Sequence, residues 1–435
     1  MNEHCQWPPH VARRMADHIH AEVKDMVANS RLVRKGEGVA LMHREELHVG
    51  ELLGKGAFSQ VHSVSIMGSN RTDPNNPTKP AKFAMKHLKA GLMSQPDNFR
   101  LAAAELAVEA HMLASFDHPN ILKIRGWAAN GVASFSSGRH DSFFLLLDRL
   151  DETLDQRIVQ WQRLKAVQDA QEAHRKRNLV TDLWRRFSQP EDHEAAIRQE
   201  QLAVALEQQR QALYLEKLQV CSDIASALAY LHDRGVIFRD LKPNNIGFLN
   251  GRVQLFDFGL SRELPAAHLT EPFEMSGKVG TLRYMAVEVA CHARYNVSAD
   301  VYSWAMVSLE VLTLQKPFGG WTRDMHSQLV CGRGVRPEVR GVGGRVRNLL
   351  ERAWHQVADQ RPTMIQTVNE MQMAEQEQML ITTALQQDNP ADGSEMVVEL
   401  PTDFCVRKVP DRHHSALSEA FTRSTLSTSV ESLSD

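Results

Sequence analysis

The sequence predicts an α+β protein in which a small antiparallel sheet with one helix is followed by a larger, mostly helical part. Two observations carry this. Residues 47–53, 61–67 and 83–88 are short apolar or alternating runs of strand type, and residues 97–115 follow with helical spacing. From Glu152 to Leu218 there is then no glycine, and Pro190 is the only proline in a stretch rich in Gln, Arg, Glu and Ala, a composition that favours long helices.

Taken in order, residues 1–45 place Val11, Met15, Ile19, Val23, Met26 and Val27 at helical intervals, so they read as an amphipathic helical extension that packs on a neighbour. Three strands follow. The segment from Gly68 to Pro80, dense in Asn and Pro, reads as a solvent-exposed hairpin loop. Asp117-His118-Pro119-Asn120 ends the helix over 97–115, and Phe143–Leu147 is a buried strand. Residues 152–218 read as long helices broken near Pro190. Leu202, Leu206 and Leu213 form an apolar seam too short for a coiled coil, so this stretch is either a solvated insertion or an arm that docks a regulatory partner. Helices and loops alternate to Met373. Residues 374–435 form a polar tail, expected to be largely disordered, that ends in a Ser/Thr-rich run.

Composition excludes several classes. With 43% hydrophobic and 24% charged residues the chain is globular, and its net charge of −3 argues against wrapping nucleic acid. No segment approaches the roughly 20 apolar residues of a membrane span. The five cysteines are scattered without C-x-x-C spacing, and the N-terminus carries no signal-peptide pattern. Both point to a reducing compartment, the cytoplasm or the nucleus.

Four clusters could carry chemistry. Gly54-Lys55-Gly56-Ala57-Phe58-Ser59-Gln60-Val61 puts two glycines at a strand end. Their backbone amides can approach phosphates, although an ordinary hairpin turn has the same composition. Lys86, in Phe83-Ala84-Met85-Lys86, ends an apolar strand. It is either an edge gatekeeper or an ammonium for phosphates, with Glu105 or Glu109, one helical turn apart, as its carboxylate. Phe238-Arg239-Asp240-Leu241-Lys242-Pro243-Asn244-Asn245 offers a carboxylate that can accept a hydroxyl proton, with Lys242 beside it to stabilise a transferring phosphoryl group. Asn245 and Asp257, the latter in Asp257-Phe258-Gly259, supply oxygen ligands suited to Mg²⁺. Any one of these could be a turn residue; the ordered set is much harder to explain that way.

In this order the motifs resemble the eukaryotic protein kinase superfamily, serine/threonine type, over roughly residues 46–373. The resemblance implies the two-lobed protein-kinase fold and transfer of the γ-phosphoryl group of Mg-ATP to a Ser or Thr hydroxyl of a protein substrate, with ATP and Mg²⁺ as cofactors. It implies that Gly54, Lys55, Gly56, Val61, Ala84, Leu147, Asp148 and Leu150 line the nucleotide site, with Asp148 to Leu150 as the hinge. It favours Glu109 as the partner of Lys86, and makes Asp240 the base, Lys242 its companion, and Asn245 and Asp257 the metal ligands. It further pairs Glu288 with Arg361, anchors the catalytic loop on Asp300 and lets the Thr281 hydroxyl bond Asp240 and Lys242. Gly-Thr-Leu-Arg-Tyr-Met-Ala (residues 280–286) and Asp-Val-Tyr-Ser-Trp-Ala (residues 300–305) resemble the tyrosine-kinase-like group.

Two positions depart from the family pattern. Phe238 stands where a histidine is usual, so one hydrogen bond under the Asp-Phe-Gly turn is expected to be missing, a change of about 0.5–1.5 kcal/mol. Val287 replaces proline beside Glu288. The resemblance implies that Arg239 and Arg262 receive a phosphate on the activation loop, at Thr270 or Ser276. The alternative to an enzyme is a pseudokinase scaffold, which often lacks Lys86, Asp240, Asn245 or Asp257; none is missing here.

Overall fold

The computed structural model describes residues 6–28, 30–32, 38–67, 72–73, 76–80, 82–186, 193–264 and 281–387. After α1 (Pro9–Val27) come β1 (Ala40–Met42), β2 (Leu47–Lys55), β3 (Ser59–Ile66), β4 (Thr72–Asp73), β5 (Asn76–Pro80) and β6 (Phe83–Leu88). Then follow α2 (Pro96–Ser115), β7 (Ile124–Ala128), β8 (Phe144–Asp148) and β9 (Glu152–Thr153). Strands β1, β7, β8, β6, β3 and β2 form one sheet in that order, antiparallel except for the edge pair of β1 with β7. Residues 40–42, expected in the helical extension, are therefore sheet. Strands β4 and β5 pair as a separate hairpin; residues 68–71, 74–75 and 81 of that loop lie outside the described residues.

The two innermost strands explain the order. Every residue of β6 and β8 is buried, as in strands covered on both faces, and their runs Phe-Ala-Met-Lys-His-Leu and Phe-Leu-Leu-Leu-Asp are nearly unbroken apolar stretches. Helix α2 starts on Pro96, whose missing N–H costs nothing in a first turn. Its alanines at 102, 103, 104, 107 and 110 are all buried, so it can be enclosed on several sides. Helix α1 buries Ile19 and Val23 of the expected stripe together with Ala12 and Ala16, while Met15 and Val27 are partly buried against the core and Val11 and Met26 are exposed. The alanines let α1 lie close to its neighbours, and their part in the buried face is what the spacing of larger residues did not show.

The larger part begins with α3 (Leu154–Arg186) and α4 (His193–Asp233); residues 187–192 between them are outside the described set. It continues with β10 (Val236–Ile237), β11 (Ile246–Leu249), β12 (Arg252–Leu255), β13 (Arg262–Glu263), α5 (Val287–Ala290), α6 (Ser298–Thr313), α7 (Arg323–Met325), α8 (Gly344–Ala353) and α9 (Met364–Gln387). Helix α6 is buried from Ala299 to Leu312, and Trp304 donates from Nε1 to the Cys221 carbonyl of α4 at 2.9 Å. A helix enclosed on all sides must satisfy its polar groups inside the fold: Asp300 accepts from the Phe238 amide, Glu310 accepts from the Tyr284 hydroxyl and Ser303 donates to the Ala299 carbonyl.

The seam at Leu202, Leu206 and Leu213 belongs to α4, which packs along α9. Leu206 is buried, Gln208 donates to the Leu385 carbonyl at 2.8 Å, and Gln378 donates to Gln211 at 2.6 Å. Residue 373, expected to end the folded domain, lies inside α9, so residues 374–387 are helical rather than tail. The rest of the expected tail lies outside the described residues.

Candidate active site

Directly opposed residues of an antiparallel pair share a face of the sheet. Val61 opposes Lys86, Ala84 opposes Leu147 and Gly54 opposes Val61, so these five positions lie on one face. At the β2–β3 turn the Gly56 N–H donates to the Ser59 carbonyl at 2.9 Å. A Cβ built on Gly54 meets nothing within 4 Å, whereas one on Gly56 would come 2.9 Å from Ser59 Oγ. Lys55 is exposed at the same turn.

Lys86 Nζ lies 2.7 Å from both carboxylate oxygens of Glu109 and 2.7 Å from Asp257 Oδ1. Burial alone would lower the lysine pKa, but the two carboxylates raise it above its ordinary value. Burial pushes the Glu109 carboxyl up against the pull of Lys86, while Lys86 holds Asp257 below the usual carboxylate range. Glu105 is not part of this cluster. Its carboxyl is raised by burial, with Arg262 acting the other way and Glu22 of α1 adding to the rise.

Asp240 Oδ2 accepts from Lys242 Nζ at 2.6 Å and from Asn245 Nδ2 at 2.9 Å. Asn245 Nδ2 also donates to the Asp240 carbonyl at 2.9 Å, so its Oδ1 is the atom left for a ligand. Burial raises the Asp240 carboxyl, and Lys242 and Asn245 act against that rise. Its other oxygen, Oδ1, is buried with no hydrogen-bond partner among the described residues. A buried, unpartnered carboxylate oxygen is costly unless a ligand hydrogen bond completes it.

The backbone of this loop is held from below. Asp300 accepts from the Phe238 and Arg239 amides at 2.8 and 2.9 Å and lies 3.0 Å from His232 Nε2. Arg239 and Asp257 both take positive φ, 74° and 66°, a region unfavourable to side-chain-bearing residues. Such strain persists only where surrounding bonds over-determine it, as the Asp300 pair does for Arg239. Phe238 is fully buried and meets the Phe258 ring edge-on, with centroids 5.1 Å apart. Ser261 Oγ donates to the Phe238 carbonyl at 3.3 Å. The turn is thus held by ring packing and by Ser261, two contacts that need no imidazole.

At the hinge, the Asp148 carboxylate is taken by Arg125, which donates from Nε and Nη2 at 2.8 and 2.7 Å. The side chain is thus spent on β7, and the Asp148 amide donates to the Lys123 carbonyl at 3.4 Å. Arg125 carried no sequence signal, being one arginine in an alternating strand. The Leu150 amide donates to no acceptor among the described residues. Gly247 of β11 lies beneath this segment, since a Cβ there would come 2.6 Å from Leu150 Cδ1. Thr281 is exposed and forms no hydrogen bond with Asp240 or Lys242 among the described residues, so that expected contact is absent. Thr270 and Ser276 lie outside the described residues. Glu288 and Arg361 form a bidentate pair at 2.6 and 2.9 Å.

A glycine turn over a strand lysine, with a lysine–glutamate pair and an Asp/Asn loop opposite, defines the class of two-lobed protein kinases. The profile of the family described as protein tyrosine and serine/threonine kinase matches residues 47–371, and the chain belongs to that family. It is 33% identical over 157 residues to serine/threonine-protein kinase VIK of Arabidopsis thaliana, covering 34% of this chain and 36% of that protein. It is 35% identical over 148 residues to serine/threonine/tyrosine-protein kinase HT1 of the same plant, covering 33% of this chain and 36% of that one. A probable serine/threonine-protein kinase of Dictyostelium discoideum is 25% identical over 285 residues, covering 64% of this chain and 32% of that protein. The chain thus spans about a third of the length of these curated relatives. The resemblance to the tyrosine-kinase-like group agrees with the two plant relatives. Among the described residues no helix is long and apolar enough to cross a membrane.

Proposed function

We propose that the chain is a serine/threonine protein kinase that transfers the γ-phosphoryl group of Mg-ATP to a protein hydroxyl, acting in the cytoplasm or nucleus in signal transduction. The observation that carries this reading is Asp240, with one carboxylate oxygen fixed by Lys242 and Asn245 and the other buried without a partner. That oxygen is suited to accept the proton of a substrate hydroxyl. Lys242, 2.6 Å from Asp240, is placed to stabilise charge on the phosphoryl group as it moves. The Leu150 amide and the carbonyl of Asp148 would meet the base of the nucleotide between Val61, Ala84 and Leu147.

The donor set fits magnesium. Among the described residues no three His, Cys, Asp or Glu side chains form a self-sufficient metal cage. Magnesium typically takes one or two protein oxygens and completes its shell with water and substrate phosphates. Asn245 Oδ1 and the Asp257 carboxylate are the oxygens this chain would contribute. Bound there, the ion would neutralise charge on the phosphates. Lys86 engages Glu109 and Asp257 together; of these, Asp257 is the more exposed, at 44% against 3% for the side chain. Phosphates reaching Lys86 would therefore displace Asp257 and leave the Glu109 pair in place.

The test is phosphate incorporation from labelled Mg-ATP into a generic protein substrate, beside Asp240→Asn. Wild-type transfer that Asp240→Asn abolishes is expected; equal incorporation by both, or none by wild type, overturns the reading. The pH profile tests the base separately. Asp240 works ionised, so kcat falls as pH drops through its pKa, and burial places that fall above the ordinary carboxylate range. Lys242→Ala removes a group that favours the ionised form, so the acid limb of kcat should move to higher pH. An unmoved limb means that Asp240 is not the group titrating. No observation favours a scaffold without catalysis. A regulatory partner would find Val159 and Val167 exposed on α3.

A further inference from the structure

The N-terminal extension contacts both α2 and the Glu263–Leu264 strand, and the reading above does not use it. At its start, Trp7 is tied three ways. Its amide donates to the Gly138 carbonyl at 3.2 Å, its indole Nε1 donates to the Met93 carbonyl at 3.1 Å, and its ring meets Phe99 of α2 edge-on at 4.6 Å. Gly138 takes φ +78°, and a Cβ there would lie 2.7 Å from the Trp7 carbonyl oxygen, so glycine is what permits the approach. Along its length, α1 buries Ala12, Ala16, Ile19 and Val23, and Glu22 pairs with Arg100 of α2. Helix α2 is the helix that holds Glu109 against Lys86.

At its end the extension reaches the start of the activation loop. Ser30 Oγ donates to Glu263 Oε2 at 2.6 Å, and the Arg31 amide and Nε donate to Glu263 Oε1 at 2.9 and 3.2 Å. Arg31 Nη2 donates to the Leu264 carbonyl at 2.8 Å. Glu263 belongs to β13, which pairs with β10 just before Phe238, and the Leu264 amide donates to the Gly235 carbonyl at 2.7 Å. Two residues of the extension therefore grip the strand that joins Asp257 to the rest of the activation loop and lies beside the catalytic loop. Arg31 is half-exposed, so its charge contributes little; the grip lies in four directional bonds onto two adjacent residues.

The geometry points to a built-in activating brace: residues 7–31 hold α2 and the Glu263–Leu264 strand in one arrangement, with Ser30, Arg31 and Glu263 as positioning residues for phosphoryl transfer. This rests on the kinase reading. With the brace in place, Glu109 stays on Lys86 and Asp257 stays beside it. Without it, α2 and the activation-loop strand move independently, and the assembled state becomes one of several.

The experiment uses the full chain with Arg31→Ala, Glu263→Ala and Glu263→Gln, measuring kinetics, thermal unfolding and hydrogen exchange over residues 258–264. Arg31→Ala and Glu263→Ala should lower kcat by five- to thirtyfold, with little change in KM for the protein substrate. Exchange over 258–264 should quicken while the unfolding midpoint stays near that of wild type. Glu263→Gln keeps an acceptor oxygen and should recover most of the activity. Unchanged kcat and unchanged exchange in Arg31→Ala and Glu263→Ala overturn the brace, as does a kcat loss that follows only a fall in the unfolding midpoint. If wild type itself transfers no phosphate, the kinase reading has failed. Exchange over 258–264 then judges the brace alone, faster in the variants if it exists and unchanged if it does not.

Discussion

Lys86→Ala should lower kcat/KM by about 10²–10³-fold, the loss typical of removing one preorganised charge from a phosphoryl-transfer or oxyanion site. The reasons are local. The ammonium sits 2.7 Å from Glu109 and from Asp257, and its charge favours the ionised form of both carboxylates. Its removal leaves Glu109, 3% exposed and already raised by burial, without its cation. An unpaired carboxylate in that position takes up a proton rather than remain charged. The link between α2 and the sheet is then lost along with the phosphate ligand. Glu109→Gln isolates the second effect, because it keeps Lys86 and an acceptor oxygen; a smaller loss, of about tenfold, is expected. Steady-state kinetics with a thermal-unfolding control distinguishes lost chemistry from lost fold. A Lys86→Ala protein that keeps more than a tenth of wild-type kcat/KM would remove this lysine from the mechanism.

Arg361→Met should destabilise the larger part of the molecule by about 3–5 kcal/mol, the cost of breaking a buried ion pair from one side. The Arg361 side chain is fully buried and Glu288 is 13% exposed. Besides its bidentate pair, Arg361 donates to the His355 carbonyl at 2.9 Å and the Ser298 carbonyl at 3.1 Å. Its guanidinium also lies 5.2 Å from the Tyr302 ring centroid. The substitution leaves a buried carboxylate and two carbonyls to find new partners. The double variant Glu288→Met with Arg361→Met removes the stranded charge and should recover part of the loss. Denaturant midpoints of the two single variants and the double variant measure this. A double variant no better than Arg361→Met would place the cost in the carbonyl bonds and not in the ion pair.

How much of the site was legible depended on whether its contacts are local. Asp240, Lys242 and Asn245 lie within six residues, and one short loop brings them within hydrogen-bond reach. The choice between Glu105 and Glu109 was not open to local reasoning, since residues one helical turn apart share a face. The rotation of α2 against the sheet decides it, bringing the Glu109 carboxylate to Lys86. The Asp148 carboxylate pairs with Arg125 on the neighbouring strand, 23 residues earlier, a contact that the local motif does not specify. Phe238 makes no side-chain hydrogen bond, as its residue type requires, and the structure adds what the sequence did not show, a ring contact to Phe258.

The sequence by itself determined the order of the elements, the chemical groups available and the family, because period, turn chemistry and short motifs are written in neighbouring residues. The tertiary structure decided which of those groups meet. The α1 stripe of Ala12, Ala16, Ile19 and Val23, the seam of α4 against α9, and the grip of Ser30 and Arg31 on Glu263 join residues far apart in the chain. Such contacts depend on how whole helices and strands pack to bury their apolar faces, and the local pattern of residues does not specify that packing.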